Sequence, residues 1–484
     1  MNWIPDLRLA MLLQSGIAIM MMLPMGIGYQ HHETASANSF LFTIVLVLVI
    51  TAVFLFATRK HKHVQVSSRD GFFLVTLSWV LATAFGALPL VWSGEYTNYS
   101  YAFFEIMSGF TTTGATVLAD IEGCSRSILF WRSMTNWLGG MGFVVLFVAL
   151  MPFLGAGGTH LFGAESVGPT KDKLAPKART TAMALWLIYI GFSVIETIML
   201  LFGGLDLYEA VTVTFSTMSC AGFCVKGASI GAWGSAYVDV VVTVFMLIGG
   251  TNFALYFKML TGKGRIAFKD GELRSYLAIF FFALLLCAFG LKLTGVYQSF
   301  GTCLRYAAFQ LASIITTTGF ATTDYCLWPA FPLFLVILMM FIGGCAGSTA
   351  GGMKVIRITT VLKLTPVELK RKIHPNGVFS VRGGDRRIEG NLIQSMAGFC
   401  ATYLFIWILA SLMIMLTGAD IATSLASTIL TLGNIGIGFG KVGPTGNFTI
   451  FPDWAKWLFS FLMLIGRLEL YTVLVLFTKR FWSK

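Results

Sequence analysis

Thr111-Thr112-Thr113-Gly114-Ala115 is the stretch on which the reading of the chain turns, and it returns as Thr316-Thr317-Thr318-Gly319-Phe320. Each copy follows a short, partly apolar segment and lies between two long apolar ones. At membrane depth, a hydroxyl-rich run ending in glycine can turn backbone carbonyls inward as ligands for a dehydrated cation. Glycine suits that turn because it reaches left-handed backbone conformations without a Cβ penalty.

Working outward, the surroundings of the two copies recur four times. The first unit has a span at 71–93, a short helix at 99–110, the TTTGA stretch and a long span at 127–153. The second has 181–203, 207–218, Ser219-Cys220-Ala221-Gly222-Phe223 and 236–260. The third has 275–295, 302–315, TTTGF and 331–363. The fourth has 391–417, 420–431, Asn434-Ile435-Gly436-Ile437-Gly438 and 453–480. Gly114, Gly222, Gly319 and Gly436 are separated by 108, 97 and 117 residues. A second glycine follows each, at Gly139, Gly249, Gly343 and Gly466, with offsets of 25, 27, 24 and 30. Small residues that merely ease helix packing explain one such pair but not four in register, so the chain is an internal repeat.

Composition agrees. The chain is 56% hydrophobic and 12% charged, with mean hydropathy +0.78, whereas soluble domains carry roughly 25% charged residues. The first apolar run, 9–27, is followed closely by another and has no small-residue cleavage site, so it reads as an anchor. Spans near 9–28 and 39–58 therefore precede the repeats. The predicted organisation is a two-span segment at 1–70 and repeats at 71–180, 181–273, 274–390 and 391–484. It is an all-α polytopic membrane protein with four pseudo-symmetric helix–short helix–filter–helix units around one pore.

The net charge of +12 suggests nucleic acid until its distribution is read. Loops 59–70, 154–180, 258–274 and 364–390 carry four, four, five and six Lys/Arg, while each glycine-bearing arm carries one. With ten full spans this asymmetry places both termini in the cytoplasm, next to anionic lipid or an acidic partner. His61 and His63 resemble a metal pair, but a solvated juxtamembrane run accounts for them. The eight cysteines form no CxxC pair, and Cys287 and Cys400 lie inside apolar runs, where free cysteine behaves as a small hydrophobe. No Ser/His/Asp, metal-ligand or phosphate-binding constellation supports an enzyme.

No carboxylate occupies the four turns, which argues for carbonyl coordination of a monovalent ion over a ring of acidic side chains. The candidate ligand segments are Thr112, Thr113 and Gly114; Cys220, Ala221 and Gly222; Thr317, Thr318 and Gly319; and Asn434, Ile435 and Gly436. The third repeat carries Gly343-Gly344-Cys345-Ala346-Gly347-Ser348-Thr349-Ala350-Gly351-Gly352, then Met353 and Lys354. So many glycines, each costing up to about 1 kcal/mol in a helix, predict a break there: either a flexible gate or a tight packing site. Arg467 interrupts the fourth long span, where a charge costs about 2.5–3.5 kcal/mol on insertion scales. It faces either the pore, as a barrier to cations, or a structural partner such as Glu196 or Glu105, Glu469 being less naturally placed.

These motifs resemble the Trk/Ktr/HKT superfamily of potassium transport proteins, closest to its bacterial TrkH type. They are MSGFTTTGAT (107–116), TTTGF (316–320), GGCAGSTAGGMKVIR (343–357), GNIGIGFGKVGP (433–444) and GRLE (466–469), and together they cover almost the whole chain from residue 71. The resemblance implies potassium uptake across the bacterial cytoplasmic membrane, K+ at the four segments, and a gating loop over 343–352 with a pore-facing Arg467. It also implies a homodimer with one pore per protomer, controlled by cytoplasmic nucleotide-binding TrkA-type subunits, and no organic cofactor in this chain. A cation-coupled symporter (H+ or Na+) of the same superfamily is the alternative, with Glu196 and Glu469 as the carboxylates well inside long spans. Ile437, where family members often have proline, and Cys220 depart from the pattern. Glycine at all four central positions favours potassium.

Overall fold

Four times along the chain a leading helix, a short helix and a trailing helix follow one another. The computed structural model describes residues 3–59, 68–142, 178–377, 379–383 and 386–483. The leading helices are Ser68–Gly86 with Leu88–Trp92, then Ala178–Phe202, Gly271–Leu293 and Gly390–Met415. The short helices are Tyr99–Phe110, Leu207–Ser219, Phe300–Ile315 and Ile421–Leu432, within two residues of the predicted bounds. Trp3–Met20, Met22–Gln30 and Thr34–Ala57 form the predicted N-terminal pair of spans, the first of them interrupted at Met21. Among the described residues the strands are two-residue partners, Arg382–Gly383 with Arg386–Arg387, in one antiparallel hairpin. The distal part of the 127–153 span, most of the 154–180 loop, and Lys60, His61, Lys62 and His63 lie outside the described residues.

Burial sorts the helices into two layers. From Ala102 to Phe110 every residue of the first short helix is buried, and the other three are nearly as enclosed. The leading helices instead expose apolar stripes at helical spacing: Leu187, Val194 and Ile198 on one, Phe282, Leu285 and Phe289 on another, Phe405, Leu409 and Leu412 on a third. An apolar stripe facing outward on a helix of 23 or more residues is stable in hydrocarbon, not water. The short helices thus form an inner layer, and the leading helices shield them from lipid.

The trailing helices correct the sequence reading, which has three of them continuous and only the third broken. The second turns by 90° between Ala236–Gly249 and Phe253–Gly262, and the fourth by 109° between Asp453–Arg467 and Tyr471–Phe477. The first ends at Gly140. The third ends at Met339 and resumes only at Val355. The second set of glycines lies at or near these ends. A Cβ on Gly139 would overlap the Phe110 carbonyl, one on Gly249 would sit 3.2 Å from the Met218 carbonyl, and one on Gly466 would overlap the Leu432 carbonyl. Phe110, Met218 and Leu432 each precede their central glycine by four residues, so the trailing helix touches the same point of its short helix in three repeats. After that contact the second and fourth trailing helices turn away, and Asn252 caps the new segment in repeat two by accepting from Ala254 N at 2.9 Å.

The contact predicts a paired result. Gly139→Ala is expected to destabilise the protein by about 1–3 kcal/mol, the usual cost of overpacking. Gly191→Ala, on a leading helix with nothing within 4 Å of the new methyl, should be neutral or slightly stabilising. Thermal unfolding in detergent measures both; equal midpoints would show that the close approach is not a constraint.

Candidate functional site

Each short helix ends in the same way. Thr113 N donates to Ser108 O, Ala221 N to Ser216 O, Thr318 N to Ser313 O and Ile435 N to Leu430 O, at 2.7–2.8 Å. This five-residue step is the Schellman closure, which requires a left-handed residue at the helix end. That residue is Thr112, Cys220, Thr317 or Asn434, with φ of 54°, 55°, 57° and 52°. Left-handed backbone costs a β-branched residue such as threonine about 1–2 kcal/mol, so the surrounding packing imposes it. Residue type points to glycine alone for this conformation, and nothing in the side chains of Thr112 or Thr317 announces the quartet.

The central glycines then do two different things. Gly114, Gly319 and Gly436 have φ of 79°, 80° and 89°. Gly222 does not share that left-handed backbone, which corrects the expectation that all four glycines serve it. All four are instead crowded by the next segment. A Cβ on Gly114 would come within 2.7 Å of Gly222 Cα, and one on Gly222 within 2.8 Å of the carbonyls of Thr318 and Gly319. One on Gly319 would overlap the Ile435 carbonyl, and one on Gly436 the Thr113 carbonyl. The contacts run from segment one to two, three, four and back to one. The four predicted segments therefore form one closed ring, whose glycines line a cavity of about 120 Å³ together with Ile437.

The hydroxyls around the ring are largely engaged as bracing. Thr111 Oγ1 donates to Met107 O at 2.6 Å and lies 2.9 Å from Thr113 Oγ1. Thr316 repeats this with Ala312 O at 2.6 Å and Thr318 Oγ1 at 2.7 Å. Asn434 Nδ2 donates to Thr113 Oγ1 at 2.9 Å and to Met463 O at 3.0 Å, closing the seam between segments four and one. Thr112 Oγ1 and Asn434 Oδ1 are the exceptions, buried without a hydrogen-bond partner among the described residues.

On the side of the ring away from that cavity lies the irregular stretch 340–354. Gly343, Gly347 and Gly352 have positive φ, as does Lys354 at 73°. Cys345 N donates to Gly250 O at 2.9 Å, Phe253 N to Gly347 O at 3.1 Å and Val355 N to Gly344 O at 3.0 Å. Glu272 Oε1 accepts from Ala346 N at 2.7 Å and Ile356 N at 3.3 Å. The loop also touches the left-handed quartet directly. Thr349 Oγ1 bonds Met218 O and Gly249 O at 3.0 Å and Cys220 Sγ at 3.1 Å, while Gly351 N donates to Thr317 Oγ1 at 2.6 Å. Gly344 packs against Ala350 and Ser348, and buried Lys354 donates to the Ala350 carbonyl.

Arg467 completes the assembly. It donates to Thr349 O at 2.6 Å, Gly139 O at 2.7 Å and Gly140 O at 2.6 Å, so it links the loop to the C-terminal end of the helix Arg126–Gly140. Of the acidic residues considered for it, Glu105 pairs with Arg132 and Glu469 with Arg357. Glu196 is fully buried, and neither carboxylate oxygen has a hydrogen-bond partner among the described residues. Glu272 and Arg357 were invisible as site residues in the sequence, since their partners are distant.

A ring of four glycine segments at the ends of four buried short helices, crossed on one side by a glycine-rich loop, is the architecture of a polytopic cation-transport protein. A family model described as TrkH, cation transport protein, matches residues 36–484, and the chain belongs to that family. It is 41% identical to the Trk system potassium uptake protein TrkH of Escherichia coli K12, over 87% of each chain. The Trk system potassium uptake protein TrkG of the same organism is 34% identical, over 87% of this chain and 86% of its own length. The crystal structure of the potassium transporter TrkH from Vibrio parahaemolyticus superposes with a TM-score of 0.89 at 34% identity, over the full length of both chains.

The ring geometry makes Gly114→Ser a sharp test. The side chain would carry φ 79° and collide with Gly222; on the reading of the ring as a carbonyl cage for K+, K+-over-Na+ discrimination should fall by roughly tenfold, the equivalent of about 1.4 kcal/mol. Relative Rb+ and Na+ fluxes of assembled protein in liposomes measure it; an unchanged ratio would remove Gly114 from the ion path.

Proposed function

We propose that this chain is the ion-conducting subunit of a Trk-type potassium uptake system in a bacterial cytoplasmic membrane. K+ is the transported substrate, stripped of water and held by backbone carbonyls of the four glycine segments, which act as a selectivity filter. The observation that carries this reading is the closed ring of glycine contacts with no carboxylate in it. The short helices end at the ring, so their partially negative C-termini favour a cation there. The basic loops support cytoplasmic termini, with the outer cavity facing the extracellular side. A homodimer under cytoplasmic TrkA-type nucleotide-binding subunits is the assembly that the family resemblance suggests. Purified protein alone in liposomes should carry K+ and Rb+ down their gradients and largely exclude Na+. The symporter reading draws on Glu196, a fully buried carboxyl; flux that required a proton or sodium gradient would favour it.

The loop from Gly343 to Gly352 is the proposed gate, and Arg467 is its latch. Its guanidinium gathers three carbonyls from two elements, and charge-assisted bonds of this kind contribute about 1.5–3 kcal/mol each. At an effective dielectric of about 20, a unit charge 4 Å away also opposes a permeating cation by about 4 kcal/mol. Both effects favour the closed state. Arg467→Ala removes all three bonds and should raise K+ flux by at least roughly tenfold, the factor that even one such bond of about 1.5 kcal/mol represents, and loosen dependence on the cytoplasmic partner. Arg467→Lys keeps the charge but not the fork and should stay nearer the parent. If Arg467→Ala abolishes flux in assembled protein, the residue is a structural tie. Deleting a few residues within Gly347–Gly351 should likewise raise basal flux; an unaltered or lower rate in correctly assembled dimer would favour a packing role for the loop.

A further inference from the structure

One buried ion pair lies beside the ring but plays no part in the gate. Glu105, on the first short helix, and Arg132, on the helix that follows, are 0% and 1% exposed. Arg132 Nε and Nη2 reach Glu105 Oε1 at 2.8 and 2.7 Å. The same carboxylate accepts from Thr116 Oγ1 at 2.8 Å and, through Oε2, from Val117 N at 2.9 Å. Thr116 and Val117 are the second and third residues after Gly114, where the first segment leaves the ring. Thr116 Oγ1 also accepts from Arg132 Nη2 at 3.2 Å, and the guanidinium lies 4.1 Å from the ring centroid of Phe223, the residue after Gly222. Finally, Thr116 O accepts from Phe448 N, in the fourth repeat, at 2.9 Å. One ion pair therefore grips the exit of segment one, stacks on segment two and reaches segment four through a shared threonine.

Among the described residues the other quarters have no fully buried equivalent: Glu209 on the second short helix meets the partly exposed Lys226 at 3.4 Å, and Arg305 on the third, itself partly exposed, pairs with Asp239 of the preceding trailing helix. The residues nine before the remaining central glycines are Val213, Gln310 and Ser427. Gln310 braces its own segment with a neutral bond to Thr323 O at 3.4 Å, aided by Ser313 Oγ to Phe320 O at 2.7 Å.

We infer that Glu105 and Arg132 are positioning residues for ion selectivity: their pairing fixes the spacing of segments one and two, and through it the width of the carbonyl cage. The inference rests on the filter reading given above. Replacing a buried pair by apolar groups often leaves stability unchanged, so folding alone does not explain it. What it supplies is direction. The guanidinium fork is planar and rigid, and the carboxylate accepts from backbone and side chain at once. The pair is also neutral overall, so an arginine lining the wall of the cavity leaves no uncompensated positive charge on the entry path.

The test uses full-length protein in liposomes, reading the Rb+/Na+ flux ratio and, separately, assembly by size exclusion. Arg132→Lys keeps the charge and loses the fork; the ratio should fall roughly tenfold, the order of one charge-assisted hydrogen bond. Phe223→Leu leaves the ion pair and removes the stacking surface; the ratio should fall about two- to fivefold, as expected for one cation–π contact. The exchanged pair, Glu105→Arg with Arg132→Glu, restores neutrality but offers Val117 N no acceptor from the short helix, so its ratio should stay low even where assembly recovers. An unchanged ratio in assembled Arg132→Lys overturns the inference; should that variant not assemble, an unchanged ratio in Phe223→Leu does so. Full recovery by the exchanged pair also overturns it, reducing the role to charge balance. Gly114→Ser, run in parallel, separates the levels: if it too leaves the ratio unchanged, the filter reading fails, not merely the positioning role.

Discussion

The fold depends on one steric constraint, the approach of each glycine segment to the next without a side chain between them. Gly114 abuts Gly222, Gly222 abuts the carbonyls of Thr318 and Gly319, Gly319 abuts Ile435, and Gly436 abuts Thr113. Every segment is thus a wall for its neighbour. A methyl at any of the four would enter backbone, which in a core packed to crystal density cannot yield by small shifts. The left-handed ends at Thr112, Cys220, Thr317 and Asn434 follow from this, because only a sharply closed helix end carries the chain straight into the ring. The second and fourth trailing helices use the same device, since Gly249 and Gly466 let those helices pass against the short helices before turning aside.

The same constraint couples the loop to the ring. Thr349 and Gly351 bond residues of the left-handed quartet in segments two and three, while Arg467 holds Thr349 from the fourth repeat. A loop fastened in this way cannot leave without releasing hydrogen-bonding groups directly beneath two of the four segments. In the proposed mechanism, opening the gate therefore also changes the support of the filter, and the two events share one set of bonds.

Much of this was legible in the sequence, and what was not has a physical reason. The repeat, the short helices and the closing glycines could be read because they are local patterns: apolar periodicity, then a turn residue, then a second glycine at a similar offset. Thr112 and Thr317 could not, because threonine disfavours the backbone it adopts there and only packing enforces it. The breaks in the second and fourth trailing helices were missed because Gly-Gly and Gly-Arg inside long apolar runs read as helix. At these breaks Gly249 and Gly466 lie against the carbonyls of Met218 and Leu432 on another helix, a neighbour that no local pattern announces. Arg467 was recognisable as an anomaly, yet its partners are backbone carbonyls of residues 139, 140 and 349, which no pattern of side chains announces. Glu105 and Arg132 each look like an ordinary charge in an apolar run until the fold brings them together.

The central claim is that four backbone segments form one ring that coordinates a dehydrated monovalent cation. Anomalous diffraction from crystals grown with Tl+ in place of K+ tests it most directly. The account predicts anomalous peaks on the axis of the ring, coordinated by main-chain carbonyls of residues 112–114, 220–222, 317–319 and 434–436. An ion held instead by side-chain groups elsewhere, or a ring that stays empty while Tl+ is transported, would contradict it.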